Sequence, residues 1–151
     1  MQKLLRIGFL LLFGLLLVNC FISMAELFVN KPNPLYEANY LATERIVINQ
    51  GGTYSSKSYS IMQVLVTMAL ENKGWEIVVA GSTIPKLKED VMKIMAQIII
   101  GNPNVRKFVK SFNIQDRRYV FTTGSSMEFK SYEDAEMAKG GKHDILYVNE
   151  A

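Results

Sequence analysis

Apolar residues recur at helical spacing in two stretches of this chain and form short unbroken runs in three others. Ile61, Leu65 and Met68, with Val64 beside them, place one apolar stripe on a helix from Lys57 to about residue 72, ended by Gly74. Leu87, Val91, Ile94, Met95 and Ile98 place a second stripe on a helix that Ser82 or Thr83 can cap and Gly101-Asn102-Pro103 stops. The runs Ile46 to Asn49, Glu76 to Ala80 and Asp144 to Val148 lack alternation, as strands covered on both faces do. Arg118 to Thr122 and Met127 to Phe129 read as a hairpin around Gly124-Ser125. Ser131-Tyr132-Glu133-Asp134 resembles a capping box for a short helix ending at Gly140-Gly141. The order strand, helix, strand, helix, hairpin, helix, strand predicts an α/β fold with a mostly parallel sheet and flanking helices.

Composition refines this picture only at the N-terminus. A chain of 151 residues fits one domain, and 49% hydrophobic content is enough for a core, although the first segment inflates it. The net charge of +3 is too mild to argue nucleic-acid binding by itself. A single cysteine, Cys20, excludes an internal disulfide framework and a zinc cluster built on cysteines. Lys3 and Arg6 precede an uncharged stretch from Ile7 to Ala25, which has the length of a membrane span and the layout of a secretory signal. The basic residues on its N-terminal side would send the following domain out of the cytoplasm. Two readings stand: a real signal or membrane segment over residues 1–23, or a mistranslated leader with Met24 as the true start. Residues 24–45, with Pro32 and Pro34, read as an irregular arm, and residues 46–151 as the folded domain.

Candidate chemistry sits at the ends of two predicted strands. After Ile46-Val47-Ile48 comes Gly51-Gly52-Thr53-Tyr54-Ser55-Ser56-Lys57-Ser58, a glycine-led loop opening a helix. Such a loop cradles phosphates because its backbone N–H groups and the positive helix N-terminus converge on one anion. Early glycines allow φ > 0 and close approach, a lysine reaches the β- and γ-phosphates, and a Ser hydroxyl can ligate Mg²⁺. Lys57 and Ser58 take those two places, while Ser56 stands where a second glycine is usual. The alternative is an ordinary Gly/Ser turn. The last strand ends in Asn149-Glu150, where Glu150 has the place of a general base and Asn149 can meet a magnesium-bound water through its carbonyl oxygen. The alternative there is an exposed Glu after a strand.

These residues together resemble a family. Gly51 to Ser60 is similar to the phosphate loop (Walker A) of tailed-phage terminase large subunits, with its double glycine, serine-rich loop and Lys-Ser-Tyr. Asp144 to Ala151 is similar to their variant Walker B, in which Asn-Glu-Ala replaces an acidic pair. Asp116-Arg117-Arg118-Tyr119 and Ala138 to Asp144 also resemble that family, and the similarity covers roughly residues 36–151. The resemblance implies a P-loop NTPase-type sheet, ATP and Mg²⁺ as cofactors, and the ATPase part of a motor that packages double-stranded DNA into a procapsid. It implies Gly51, Gly52, Thr53, Tyr54, Ser55, Ser56, Lys57 and Ser58 as nucleotide-binding residues, Ser58 and Asn149 as metal-binding, and Glu150 as catalytic. It further implies a portal protein and a small terminase subunit as partners, a homo-oligomer in the full-length form, and the host cytoplasm as location. Thr53 stands where many members carry an arginine, so a charge-sensing arginine would come from elsewhere. The chain stops one residue past Glu150 and therefore reads as an N-terminal piece, incomplete at the C-terminus and without a nuclease domain.

Two other classes compete: a different P-loop nucleic-acid motor of the helicase kind, and a membrane-anchored non-enzymatic protein with chance matches. The remaining features have plainer readings. His143 lacks a second histidine or a nucleophile partner and reads as a surface or strand-edge residue. Met62, Met68, Met92 and Met95 read as core fillers. Arg106, Lys107, Lys110, Arg117 and Arg118, interleaved with Phe108, Phe112 and Tyr119, read as a solvated basic surface before a DNA-facing one.

Overall fold

The computed structural model describes residues 33–52, 56–132 and 143–149. Helix α1 covers Pro34–Tyr40 and α2 covers Lys57–Glu71, followed by strand β1 over Glu76–Gly81. Three helices follow, α3 (Ile84–Glu89), α4 (Val91–Gly101) and α5 (Pro103–Phe108). Strands β2 (Val109–Asn113), β3 (Arg118–Phe121), β4 (Ser126–Ser131) and β5 (Ile145–Val148) complete the order. They form one five-stranded sheet, β2-β3-β4-β1-β5. Its β4-β1-β5 part is parallel, as the alternation of strands and helices predicts, while β2-β3 and β3-β4 are antiparallel, so the sheet is mixed.

Strand β1 is the axis of this sheet. Ile77 to Ala80 are all buried, and each is paired on one side with β4 and on the other with β5. Aligned rows cross the strands: Tyr119, Met127, Ile77 and Ile145 in one, Phe129, Val79 and Tyr147 in the next. The same face packs against Met62, Leu65, Val66 and Ala69 of α2 and Val91, Met95 and Ile98 of α4. Asp144 fixes the start of the β1–β5 pair, because its N–H donates to Glu76 O at 2.9 Å and its carboxylate accepts from Glu76 N–H at 2.8 Å. The strand expected over Glu76 to Ala80, the helix from Lys57 and the hairpin around Gly124 all form close to the predicted limits. Gly124 has φ +84°, which the tight connection between β3 and β4 requires.

Four expectations change. The single helix expected over the Leu87 to Ile98 stripe is two helices, broken at Asp90, although both halves keep the apolar face. The arm read as irregular contains α1, whose N-cap Asn33 accepts from Tyr36 N–H, with proline in its first turn. The basic stretch after α5 forms β2, an edge strand exposed along Lys110 to Asn113. Ile46 to Asn49 forms no strand: Ile46 and Ile48 are 76% and 86% exposed. Both ladder sides of β1 are occupied, so this run finds no place beside it. It is held from the α1 side, where Asn39 and Asn49 exchange two side-chain amide bonds of 2.9 and 2.6 Å. The short helix expected after Ser131 falls largely outside the described residues, as do residues 1–23. Among the described residues no helix is long and apolar enough to cross a membrane.

Helix α1 covers the outer side of α2. Tyr36 packs on Val64 and its hydroxyl donates to Thr67 Oγ1 at 3.2 Å. Next to it, Tyr40 O–H donates to Glu71 Oε2 at 2.8 Å, while buried Glu71 Oε1 has no partner. Burial pushes the Glu71 carboxyl above its ordinary range, and the Tyr40 hydrogen bond offsets this in part. The folded state therefore keeps a proton that the unfolded chain releases, so stability falls as pH rises from the ordinary value of 4.5. The thermal midpoint of Glu71→Gln, measured across this range, is expected to fall less steeply with pH than the wild type's. In the core, Phe129 is fully buried and meets Tyr119 edge-on at 6.2 Å. Its truncation, Phe129→Ala, is expected to cost about 3–5 kcal/mol in urea unfolding.

Candidate nucleotide site at the strand ends

Three elements converge at the carboxyl ends of β1 and β5: the N-terminus of α2, the residue following β5, and the α3–α4 junction. Open α/β sheets bind ligands in this position, because helix N-termini and strand-end loops meet there. The α2 end begins at Ser56, whose φ of 57° places it in the left-handed region. Non-glycine residues seldom adopt that conformation, and this is the position where the loop pattern has glycine. The Ser56 side chain makes no capping hydrogen bond. Its carbonyl accepts from Ser60 N–H at 3.0 Å and Ser60 Oγ at 2.9 Å, and Asn33 Nδ2 donates to Ser60 Oγ at 2.7 Å. The α1 cap thereby ties down the first turn of α2.

Lys57 folds back over the glycines, its ammonium donating to Gly51 O at 2.6 Å and Gly52 O at 2.8 Å. A cation held over an exposed double glycine sets a positive charge at the loop mouth. Ser58 points the other way. Its hydroxyl donates to Asn149 Oδ1 at 3.4 Å, a contact that spans 91 positions of sequence.

Asn149 is buried, at 7% exposure, and every polar group it carries is engaged. Its N–H donates to Ala80 O at 2.8 Å, extending the β1–β5 ladder by one residue. Its carbonyl accepts from Tyr132 O–H at 3.1 Å. Side-chain Oδ1 also accepts from Tyr147 O–H at 2.8 Å, and Nδ2 donates to Asp90 Oδ2 at 2.8 Å. Tyr147 and Asn149 share a face of β5 because side chains alternate along a strand, and that face looks toward α2. The opposite face carries Leu146 and Val148, 57% and 41% exposed, so β5 is not the doubly covered strand its apolar run predicts.

Asp90 reaches this position because α3 lies tightly on the end of β1. A Cβ at Gly81 would meet Leu87 Cδ2 at 2.6 Å, so glycine there permits the approach. Thr83 caps α3 by accepting from Lys86 N–H at 3.4 Å. Beside the junction lies a shallow cavity of about 260 Å³, lined by Gly81, Ser82, Lys86, Leu87, Glu89, Asp90 and Asn149.

Of the residues read from sequence as a nucleotide site, the structure brings Gly51, Gly52, Ser56, Lys57, Ser58 and Asn149 to one end of the sheet. Thr53, Tyr54, Ser55 and Glu150 lie outside the described residues. Asp90, Tyr132 and Tyr147 join the site without having been singled out. An Asp ahead of an apolar helix reads as an N-cap, and no local signal gives its long-range partner. Ser58 Oγ and Asn149 Oδ1 are hard oxygen donors, the kind Mg²⁺ takes beside phosphate oxygens, while the Asp90 carboxylate lies on the NH₂ side of the amide. Among the described residues there is no group of three or more His, Cys, Asp or Glu placed to hold a metal.

His143 precedes β5 and so lies at the opposite strand end, roughly 20 Å from Asn149 at ~3.3 Å per residue. In the basic stretch, Arg118 pairs with Glu76 at 3.8 Å and donates to Ser126 Oγ, and Arg117 Nε donates to Phe129 O at 3.1 Å. Arg106, Lys107 and Lys110 are exposed on α5 and β2, at the far edge of the sheet from β5.

Compared with known proteins, the chain matches no family model and no curated relative.

The left-handed backbone at Ser56 yields a stability test. A β-branched side chain is strained there by about 1–2 kcal/mol, whereas glycine is not. Ser56 already bears most of that strain, so urea unfolding is expected to show Ser56→Gly more stable than the wild type by up to about 1 kcal/mol and Ser56→Val less stable than the wild type.

Proposed function

We propose that this chain binds a nucleoside triphosphate with Mg²⁺ and is the ATP-binding region of a DNA-packaging motor of the terminase large-subunit kind. The observation that carries the nucleotide reading is the meeting of Ser58 and Asn149 at 3.4 Å across 91 residues, where two independently recognised sequence signals converge. The left-handed Ser56 and the Lys57 ammonium over the glycine carbonyls support it from the loop side. The terminase reading rests on the similarity of Gly51 to Ser60 and Asp144 to Ala151 to that family. With it come ATP as the nucleotide, a P-loop type of sheet, double-stranded DNA, a portal protein and a small terminase subunit as partners, and action as a homo-oligomer in the host cytoplasm.

In this reading, each residue has a physical task. Gly51 and Gly52 let the backbone approach the phosphates, and the N–H groups at the start of α2 face them. Lys57 exchanges its carbonyl contacts for phosphate oxygens, a charge-assisted substitution that strengthens its hydrogen bonds. Ser58 and Asn149 would hold magnesium, directly or through its waters, and the ion when bound would supply neutralisation of the phosphate charge. Glu150, next along the chain, would orient the attacking water and accept its proton. Asn149 itself is tied to β1 through Ala80 O.

Titration of the full chain with a fluorescent ATP analogue in the presence of magnesium tests the reading. Lys57→Ala is expected to weaken binding about 10- to 100-fold, the equivalent of a lost charge-assisted contact of ~1.5–3 kcal/mol. Equal affinity in both proteins would exclude Lys57 from the site. Negligible binding by folded wild type would remove the nucleotide reading.

A further inference from the structure

The triphosphate site carries an amide, Asn149, where a carboxylate is the commoner partner of magnesium, and the structure shows a carboxylate immediately behind it. Asp90 Oδ2 accepts a hydrogen bond of 2.8 Å from Asn149 Nδ2. Asp90 is the N-cap of α4, a position where an Asp side chain ordinarily accepts from its own helix's first-turn N–H groups. Here it makes no such capping bond and instead turns to a residue 59 positions away. A local contact worth ~1 kcal/mol is forgone for a long-range one.

We propose that Asp90 is the positioning carboxylate of this site, resting on the nucleotide reading above. It locks the Asn149 amide so that Oδ1 faces Ser58, and it supplies through the amide the negative charge that Asn149 lacks. The orientation follows from hydrogen-bond inventory. An ionised carboxylate only accepts, so the amide NH₂ must face Asp90, and Oδ1 must then face the hydroxyls of Ser58 and Tyr147. A carboxylate accepting from the NH₂ end of an amide also draws electron density onto its oxygen, since hydrogen bonds in a chain polarise one another. The result is an oxygen at the Ser58 side that is more negative than an isolated amide, with the formal charge held one group further back. Tyr147 O–H and the Ala80 ladder bond hold Asn149 on its other sides. Of the other charged groups lining the neighbouring cavity, Lys86 and Glu89 are exposed on α3, and neither is needed for the contact.

The test uses the full chain and two readouts: the Asn149 side-chain amide signals in ¹H–¹⁵N spectra without ligand, and ATP-analogue affinity with and without magnesium. Asp90→Asn can still accept from Asn149 through its own carbonyl oxygen and removes only the charge. It is expected to keep the fold and the magnesium-free affinity but to lose about tenfold of the magnesium-dependent gain. Asn149→Asp alone places two carboxylates against each other and is expected to displace Ser58 and weaken magnesium-dependent binding. The double exchange Asp90→Asn with Asn149→Asp is expected to restore it to within about threefold of wild type. The Asn149 NH₂ signals are expected to move in Asp90→Asn and to be the most shifted side-chain amide pair. Wild-type magnesium dependence retained in Asp90→Asn would overturn the positioning role alone. A wild type that binds no nucleotide, yet shows the Asn149 shift, would overturn the nucleotide reading and leave the contact as a strand-end staple.

Discussion

Everything at the candidate site depends on the parallel pairing of β1 with β5. Asp144 sets that pairing at one end by a two-way backbone and carboxylate contact with Glu76, and Asn149 closes it at the other through Ala80 O. Between these points the register is fixed, and side-chain alternation then decides that Ile145, Tyr147 and Asn149 look toward α2. A slip of one residue would turn Asn149 to the opposite face and leave Ser58 without its partner. Parallel strands need a covering layer and a long crossover, and α2 and α4 supply the cover on the core side.

The site stands on the same rigid elements that make the core. Met62, Leu65 and Val66 anchor α2 against the sheet, and its first turn is held from outside by Asn33 and Ser60. Leu87 anchors α3 against Gly81 and so delivers Asp90 to the strand end. Ser58, Asn149 and Asp90 therefore share one frame, although they lie far apart in sequence. The placement of polar groups there differs from the core's other polar contacts. Thr67 links Tyr36 to Gln63 O, Ser125 donates to Asn72 O and Asn102 caps α5, whereas Asn149 gathers a phenol, a serine and an aspartate around its side-chain amide and a second phenol on its backbone carbonyl.

Much of the fold was legible because its signals are local. The stripe of Ile61, Leu65 and Met68 gives α2, the buried Ile77 to Ala80 run gives β1, and Gly124 gives the β3–β4 connection. The failures share a physical cause. Ile46 to Asn49 has strand composition, yet a strand exists only with a ladder partner, and this run pairs with none of the five strands. Val109 to Asn113 has mixed polar composition, yet it pairs with β3 because that edge is open. The break at Asp90 leaves the apolar stripe of Leu87 to Ile98 intact, so periodicity alone cannot show that two helices carry it.

The sequence by itself determined the chemistry on offer: a glycine-led loop with Lys57-Ser58 opening a helix, and a strand ending in Asn149-Glu150. Spacing and residue type suffice for this, because a helix start and a strand end are short-range features. Only the tertiary structure decided which groups meet. It joined Ser58 to Asn149, put the left-handed turn on Ser56, and gave Asn149 its carboxylate in Asp90. Those outcomes follow from strand order and from how closely α3 lies on β1, which are sums of many packing contacts and leave no mark at any single position.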